Sequence, residues 1–171
     1  MKRTNLPPQK EASKRRIAGH AQQDHILDPY QRRQKLEDGT LCPQCGAAYR
    51  HGRWQWAARA KTDHEELCPA CRRINDKFPA GILALKGAFA RDHREELIHL
   101  ARHQEEAEKT EHPLNRIMSI EEGPSEILIK TTDIHLPRRI GEAITRAFHG
   151  ALEESFEEDG YFLRVTWRRE S

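Results

Sequence analysis

Four cysteines are the residues of this 171-residue chain whose types and spacing most clearly predict chemistry. They form two matched pairs, Cys42-Pro-Gln-Cys45 and Cys68-Pro-Ala-Cys71, with 22 residues between them. Each pair can wrap one edge of a metal ion, and two pairs complete a tetrahedron of thiolates around Zn²⁺ at about 2.3 Å per bond. Gly46 follows the first pair, where the turn behind the sulfurs favours a residue without a Cβ. The pattern therefore predicts one structural Zn²⁺ held by all four cysteines.

Other uses of the cysteines remain open from sequence. A redox dithiol has the same Cys-x-x-Cys spacing, but Cys45 is followed by Gly46 and a strand-like run, where a thioredoxin-like site has a helix. Disulfides suit a secreted chain, whereas the start, MKRTNLPPQKEASKRR, has no apolar run of signal-peptide length. Iron can occupy the same four-thiolate geometry. His51 and His64 lie between the pairs, although four sulfurs already fill a tetrahedron.

The hydropathy of the chain predicts a cytoplasmic protein. No stretch approaches the roughly 18 apolar residues that a membrane span needs. With the polar start, this predicts that the protein has no membrane partner.

Composition and charge suggest a partly disordered chain with a basic end. A hydrophobic fraction of 36% with 33% charged residues is low for one compact core. Residues 1–80 carry sixteen Lys and Arg against nine Asp and Glu, whereas residues 81–171 carry thirteen against eighteen. A basic end of this kind predicts an acidic partner, most commonly nucleic acid, unless it merely solvates the chain.

Three segments follow from a pass along the chain: a disordered basic arm (1–35), a zinc ribbon (36–80) and a ferredoxin-like domain (81–171). In the ribbon, AAYRHGRWQW predicts a hairpin with His51-Gly52 at its turn. A unit this small buries little apolar surface, so the metal would supply much of its folding free energy.

The third segment has the order β-α-β-β-α-β, with Asp133 capping its second helix. This order predicts an α+β fold, in which two helices cover one face of a four-stranded antiparallel sheet. The acidic run EESFEED (153–159) is interpreted as a solvated turn. The predicted strands are GILALKGAF (81–89), NRIMSI (115–120), EILIKTT (126–132) and YFLRVTWRR (161–169). The first predicted helix is RDHREELIHLARHQEEAEKTEH (91–112).

The uncovered face of that sheet is the first candidate binding surface. Period-two alternation places Lys130, Phe162, Arg164 and Arg168 on it, a set of cations with one aromatic ring. Several ferredoxin-like domains bind single-stranded RNA on such a face by stacking and phosphate contacts. The clustered aromatic signature of RNA-recognition modules is missing, however, and the face could equally pack against the ribbon or a second protomer.

Known catalytic motifs are missing from the sequence. There is no G-x-x-x-x-G-K-[ST] phosphate loop, no H-E-x-x-H, no G-x-S-x-G and no glycine-rich dinucleotide fingerprint. The sequence therefore predicts a protein that is not an enzyme.

A family resemblance points the same way. The runs LCPQCGAAYRHGRWQW, LCPACRRINDKFPAG, EHPLNRIMSI, TTDIHLPRRIGEAI and RVTW resemble an uncharacterised family of small proteobacterial zinc-ribbon proteins over residues 26–169. That family is similar to the amino-terminal zinc region of the nuclear export adaptor of the large ribosomal subunit. The resemblance implies docking on large-subunit RNA and protein. Only the four cysteines match as ligands, and the adaptor's further cysteine pairs and export signals are missing here, so no export role is transferred.

Together these observations predict a non-enzymatic zinc protein that binds RNA or a ribonucleoprotein, most simply the ribosome or a large-subunit precursor. A zinc-ribbon adaptor that binds a polypeptide is the alternative. The residues predicted to contact nucleic acid are Arg50, Arg53, Trp54, Arg72, Arg73 and Lys77 in the ribbon, and Lys130, Phe162, Arg164 and Arg168 on the sheet.

Overall fold

The computed structural model describes residues 28–31, 35–58, 64–157 and 160–171. Most of the predicted disordered arm, residues 1–27 and 32–34, lies outside these ranges. The described residues of the arm contact the segment that follows: the Tyr30 hydroxyl donates to Asp76 at 2.8 Å, and the Tyr30 ring stacks on Phe78. Residues 36–80 are called the cysteine module below, and residues 81–171 the α/β domain.

The cysteine module contains a short hairpin and one helix. Strands β1 (Ala48–Arg50) and β2 (Arg53–Gln55) pair in antiparallel fashion, and helix α1 spans Pro69–Asp76. His51 and Gly52 form the turn, with φ of 52° and 85°. Positive φ at both central residues is what a type I′ hairpin turn requires. The predicted hairpin and its turn are confirmed.

The α/β domain is a five-stranded sheet with its helices on one face. Its elements are β3 (Gly81–Lys86), α2 (Ala88–Asp92), α3 (Arg94–Glu111), β4 (Ile117–Glu122), β5 (Glu126–Thr131), α4 (His135–Phe148), β6 (Ala151–Phe156) and β7 (Leu163–Arg168). The strand order is β4-β5-β3-β7-β6. Alternate residues of the three central strands, such as Leu83, Ile129 and Val165, pack against Leu97 of α3 and Ile140 of α4 in one apolar core.

The fold is mixed α+β as predicted, but its sheet differs from the predicted four-stranded antiparallel sandwich. The additional strand β6 lies at the edge and pairs with β7. Because the chain runs out along β6 and returns along β7, β7 lies parallel to β3 rather than antiparallel to it. The ferredoxin-like topology is therefore not confirmed.

Strand β6 occupies most of the acidic run that the sequence predicted to be a turn. Leu152 and Phe156 pack against the core from the helix-covered side. Glu154, on the same side, pairs with Arg138 of α4 at 2.9 Å. An edge strand tolerates such acidic residues because much of it faces water. The acidic residues led to the prediction of a turn, whereas tertiary contacts stabilise a strand here.

One predicted boundary also shifts. The first strand ends at Lys86, because Gly87 turns the chain with φ of 97° into α2. The Asp133 cap of α4 is confirmed, since its carboxylate accepts hydrogen bonds from the amides of His135 and Leu136. None of the helices in the described part of the chain combines the length and the apolar character that a bilayer crossing needs.

Candidate metal centre

The first cysteine pair lies in a tight turn that leads into β1. The Cys42 amide donates to the Ala47 carbonyl at 2.8 Å, and the Gly46 amide donates to the Cys42 carbonyl at 2.9 Å. Gly46 has φ of 80°, which glycine adopts far more readily than residues with a Cβ. This glycine therefore allows the backbone to curl behind Cys42 and Cys45, as the sequence predicted.

The second pair begins helix α1. Cys68 is the residue at the amino-terminal cap, Pro69 begins the helix, and the Cys71 amide donates to the Cys68 sulfur at 3.4 Å. The Cys68 amide donates to the Cys42 sulfur at 3.3 Å, so it links the two pairs directly. Amides aimed at sulfur favour the thiolate form that a metal ligand needs.

The four sulfurs form a group with the geometry of a metal site. All four Sγ atoms lie within 4.8 Å of one another, and Cys45 and Cys68 are 3.8 Å apart. Bonds of 2.3 Å in a tetrahedron place sulfurs about 3.8 Å apart. Cys42, Cys68 and Cys71 are buried and Cys45 is half-buried, and all four thiols are free rather than in disulfides. This donor set fits Zn²⁺, although iron shares the same geometry.

The histidines between the pairs are not part of this group. His51 is exposed at the hairpin turn, and His64 pairs with Glu37 at 2.7 Å. Among the described residues, the group that could hold a metal consists of the four cysteines alone.

Arg116 of the α/β domain extends its guanidinium group over the sulfurs. Its Nη1 lies 3.4 Å from the Cys71 sulfur, and its Nη2 lies 3.2 Å from Cys45 and 3.6 Å from Cys68. The residue is only 9% exposed. A Zn²⁺ ion bound by four thiolates carries a net charge of −2, so a buried cation beside it offsets part of that charge.

The position of Arg116 is set by hydrogen bonds within its own domain. Its Nε donates to the Pro113 carbonyl at 2.6 Å, its amide donates to the Thr132 hydroxyl at 2.9 Å, and its carbonyl accepts from the Thr132 amide. Thr132 is consequently buried. The cysteine spacing gave no signal for Arg116, because the two segments are far apart in the chain.

The charges of the site support one another. The hydrogen bond with Cys68 lowers the pKa of Cys45 to about 4 against the opposing effect of burial, and the Arg116 guanidinium acts in the same direction. Burial raises the pKa of Cys71 to about 11. Burial also opposes the charge on Arg116, but its hydrogen bonds to Cys71 and Cys45 outweigh that effect and raise its pKa. These shifts favour a thiolate at Cys45, and a metal would displace the protons of Cys68 and Cys71, whose pKa values are raised.

Apolar contacts join the cysteine module to the α/β domain around the sulfurs. Leu114 packs against the cluster formed by the cysteines, Ala47, Trp54 and Ala70. Nearby, the Trp56 indole donates to the Lys109 carbonyl of α3 at 2.6 Å. The candidate metal centre therefore lies at the junction of the two parts of the chain.

Two of the residues predicted to contact RNA are buried. Trp54 is 9% exposed, and its ring packs edge-on against Tyr49 with centroids 5.7 Å apart. Arg73 is fully buried: it pairs with Asp28, donates to the Phe78 carbonyl and lies 4.2 Å from the centre of the Tyr30 ring. Both side chains stabilise the module itself, so the structure removes them from the predicted RNA surface.

The other predicted cations of the module remain accessible. Arg50 and Arg53 lie directly opposite each other across the hairpin, and neither has a carboxylate partner among the described residues. Arg72 pairs with Glu66 at 2.9 Å, and Lys77 is exposed at the end of α1.

The predicted cations on the open face of the sheet are paired with acids. Phe162 is half-buried, with the Arg164 guanidinium 5.5 Å from its ring centre. Exposed ion pairs contribute little stability, but the acids in them reduce the positive charge that a phosphate would meet on this face. The pairs of the predicted cations are Lys130 with Glu121 at 2.5 Å, Arg168 with Glu170 at 3.4 Å and Arg164 with Glu157 at 3.5 Å; in addition, Lys86 pairs with Glu126 at 3.3 Å.

No family model matches the chain, and neither a curated protein nor a solved structure matches it. The four close cysteines and the mixed α+β fold therefore define the class as a candidate metal-binding, most simply zinc-binding, protein. The resemblance to the family of small proteobacterial zinc-ribbon proteins stays a prediction.

Proposed function

We propose that this protein is a non-enzymatic zinc-ribbon protein that binds RNA or a ribonucleoprotein, such as the ribosome or a large-subunit precursor, through the end of its β1–β2 hairpin. The observation that supports this proposal is the pair Arg50 and Arg53. Like charges directly opposite each other across two strands repel and destabilise the hairpin. An anion bound between two such guanidinium groups offsets their repulsion, and the oxygens of a phosphate match the paired N–H donors of each guanidinium.

The partnering of Arg50 supports the same proposal. Its Nη2 makes a long hydrogen bond of 3.4 Å to the Ala58 carbonyl, and its buried Nε has no hydrogen-bond partner among the described residues. The Nη2 group, which has only this long hydrogen bond, gains a stronger partner when a phosphate oxygen approaches. The metal would hold the hairpin rigid, so that both side chains are already in place when RNA arrives.

Replacing both arginines by glutamine should weaken binding to ribosomal RNA and reduce its salt dependence. Each lost phosphate contact lowers the slope of log affinity against log salt by about one, so the double variant should lose about two. A filter or gel assay over a range of salt concentrations measures this slope.

The matched control is Arg102→Gln with Arg146→Gln, which makes the same change in net charge at exposed sites on α3 and α4. Zinc content should be unchanged in both variants. Equal slopes for the hairpin variant and the control would show that Arg50 and Arg53 do not contact phosphate.

A second candidate function is a protein-interaction adaptor that uses the open face of the sheet. The pairing of Lys130, Arg164 and Arg168 with carboxylates favours it, since a face of mixed charge suits a polypeptide better than a phosphate backbone. Leu128 lies on this face and is half-buried, so it offers an apolar contact at its centre.

Gradient sedimentation of lysate before and after nuclease should separate the two functions. The adaptor predicts fast sedimentation that survives nuclease and is lost with Leu128→Asp. The RNA function predicts fast sedimentation that nuclease abolishes and that Arg50→Gln with Arg53→Gln reduces. Sedimentation as a free protein under all conditions contradicts both.

A further inference from the structure

Trp56 keeps its large aromatic side chain in contact with water. It is 40% exposed, whereas Trp54, two residues earlier, is 9% exposed. Phe78, the other exposed large apolar residue in the described part of the chain, stacks on Tyr30. Trp56 stacks on no aromatic ring among the described residues. Single exposed apolar residues are common on proteins, so the exposure of Trp56 needs a second observation to indicate a binding surface.

That second observation is the anchoring of the indole on the α/β domain. The Nε1 of Trp56 donates to the Lys109 carbonyl in the last turn of α3 at 2.6 Å. This N–H is the only hydrogen-bonding group of the side chain, so the exposed part of Trp56 is apolar ring surface. A ring already fixed in one orientation loses little conformational entropy when a ligand packs on it.

The anchored ring lies close to the arginine pair of the hairpin. Trp56 follows Arg53 by three residues, so their Cα atoms are at most about 11 Å apart. Two residues beyond Trp56, the Ala58 carbonyl accepts from Arg50 Nη2 at 3.4 Å. The Arg50 guanidinium therefore reaches the segment that carries the ring. Aromatic surface and two cations without carboxylate partners share this end of the module.

We propose that Trp56 stacks on one unpaired base of an RNA whose adjacent phosphates contact Arg50 and Arg53. Proteins bind single strands with aromatic rings beside cations, because every base offers a π face and every nucleotide a phosphate. Exposed carboxylates of α3, those of Glu106 and Glu111, disfavour phosphates on that helix and favour them on the hairpin. The inference rests on the proposed RNA function and deepens it by naming single-stranded RNA as the substrate class.

Tryptophan fluorescence reports this contact, since the other two tryptophans, Trp54 and Trp167, are buried. We expect a short single-stranded oligo-uridine to quench the emission of the full-length zinc-loaded protein. A blunt RNA duplex of the same length should quench it much less and bind more weakly, because the bases of a duplex are already stacked on one another. Trp56→Leu should weaken binding of the single strand by about fivefold or more.

Two further variants separate stacking from a structural role of the side chain. Trp56→Phe keeps a ring that can stack but cannot donate to Lys109, so it should retain most of the affinity and lose the quenching. Phe78→Leu is the matched control, since it removes the other exposed ring of the module, and it should bind as the wild-type protein does. Melting temperature and zinc content establish that each variant is folded.

The outcomes separate this inference from the proposed function. Equal binding of single strand and duplex, equal affinity of Trp56→Leu and Phe78→Leu, or equal loss in Trp56→Leu and Trp56→Phe would each overturn the stacking role. A lower salt slope in Arg50→Gln with Arg53→Gln would still support the hairpin as the RNA site in those cases. Absence of binding to any RNA would overturn both.

Discussion

Replacing Cys42 and Cys68 by serine should abolish zinc binding and unfold the cysteine module. Both residues are fully buried, and the four cysteines form much of the small cluster on which Trp54, Ala47 and Ala70 pack. In zinc-finger peptides, metal binding contributes roughly 10–16 kcal/mol of apparent free energy, which is as large as the stability of a typical whole domain. A module of this size has no comparable source of folding free energy once the metal is lost.

Elemental analysis and tryptophan fluorescence would measure this loss. The wild-type protein should contain one zinc ion per chain, the double variant none, and the emission of Trp54 should move to longer wavelength as it meets water. A chelator should have the same effect on the wild-type protein and none on the variant. Full zinc content in the variant, or an unchanged melting curve, would contradict the metal assignment.

The second large effect concerns Arg116, which we expect to control the affinity of the site for metal. Replacing Arg116 by methionine keeps much of the side-chain volume but removes the charge that contacts three sulfurs. Loss of a residue that hydrogen-bonds metal ligands typically reduces metal affinity by about 10- to 100-fold. The variant should therefore lose zinc to a competing chelator at lower chelator concentration than the wild-type protein.

The effect of Arg116→Met on stability should depend on the metal. With zinc bound, the variant leaves the net negative charge of the thiolate cluster without its buried cation, so the protein should be less stable. Without zinc, much of that negative charge is absent, and removing a guanidinium that is only 9% exposed should cost much less. Thermal melting of both proteins with and without chelator measures this difference.

Arg138→Met is the matched control for Arg116→Met. Arg138 forms a partly exposed pair with Glu154 on the α/β domain, and neither residue contacts a sulfur. The control should keep the zinc affinity of the wild-type protein. If Arg116→Met bound zinc as tightly as this control, the guanidinium would have no role in the metal site.

The features that sequence predicted correctly are set by residues close together in the chain. Two Cys-x2-Cys pairs, a His51-Gly52 turn and an Asp133 cap each depend on spacings of a few residues, and spacing of this kind constrains backbone geometry directly. Alternation along β5 likewise indicated which of its residues face the core.

The features that sequence missed depend on pairing between distant segments. Strand β6 is acidic, and its pairing with β7, its core contacts and its ion pair with Arg138 make it a strand, which in turn makes β7 parallel to β3. Arg73 has the composition of a phosphate contact, yet its pairing with Asp28 buries it. Composition alone cannot distinguish an exposed cation from one that a distant carboxylate holds inside.

The sequence by itself determined that four sulfurs could surround one metal ion, because two local turns each present a pair of thiols. Only the tertiary structure decided that Arg116 covers those sulfurs and that Trp56 is anchored on α3. The physical reason for Arg116 is that a buried charge needs an opposing charge or hydrogen bonds, and here sulfurs of a distant part of the chain supply them. No spacing in the sequence encodes which distant part that is.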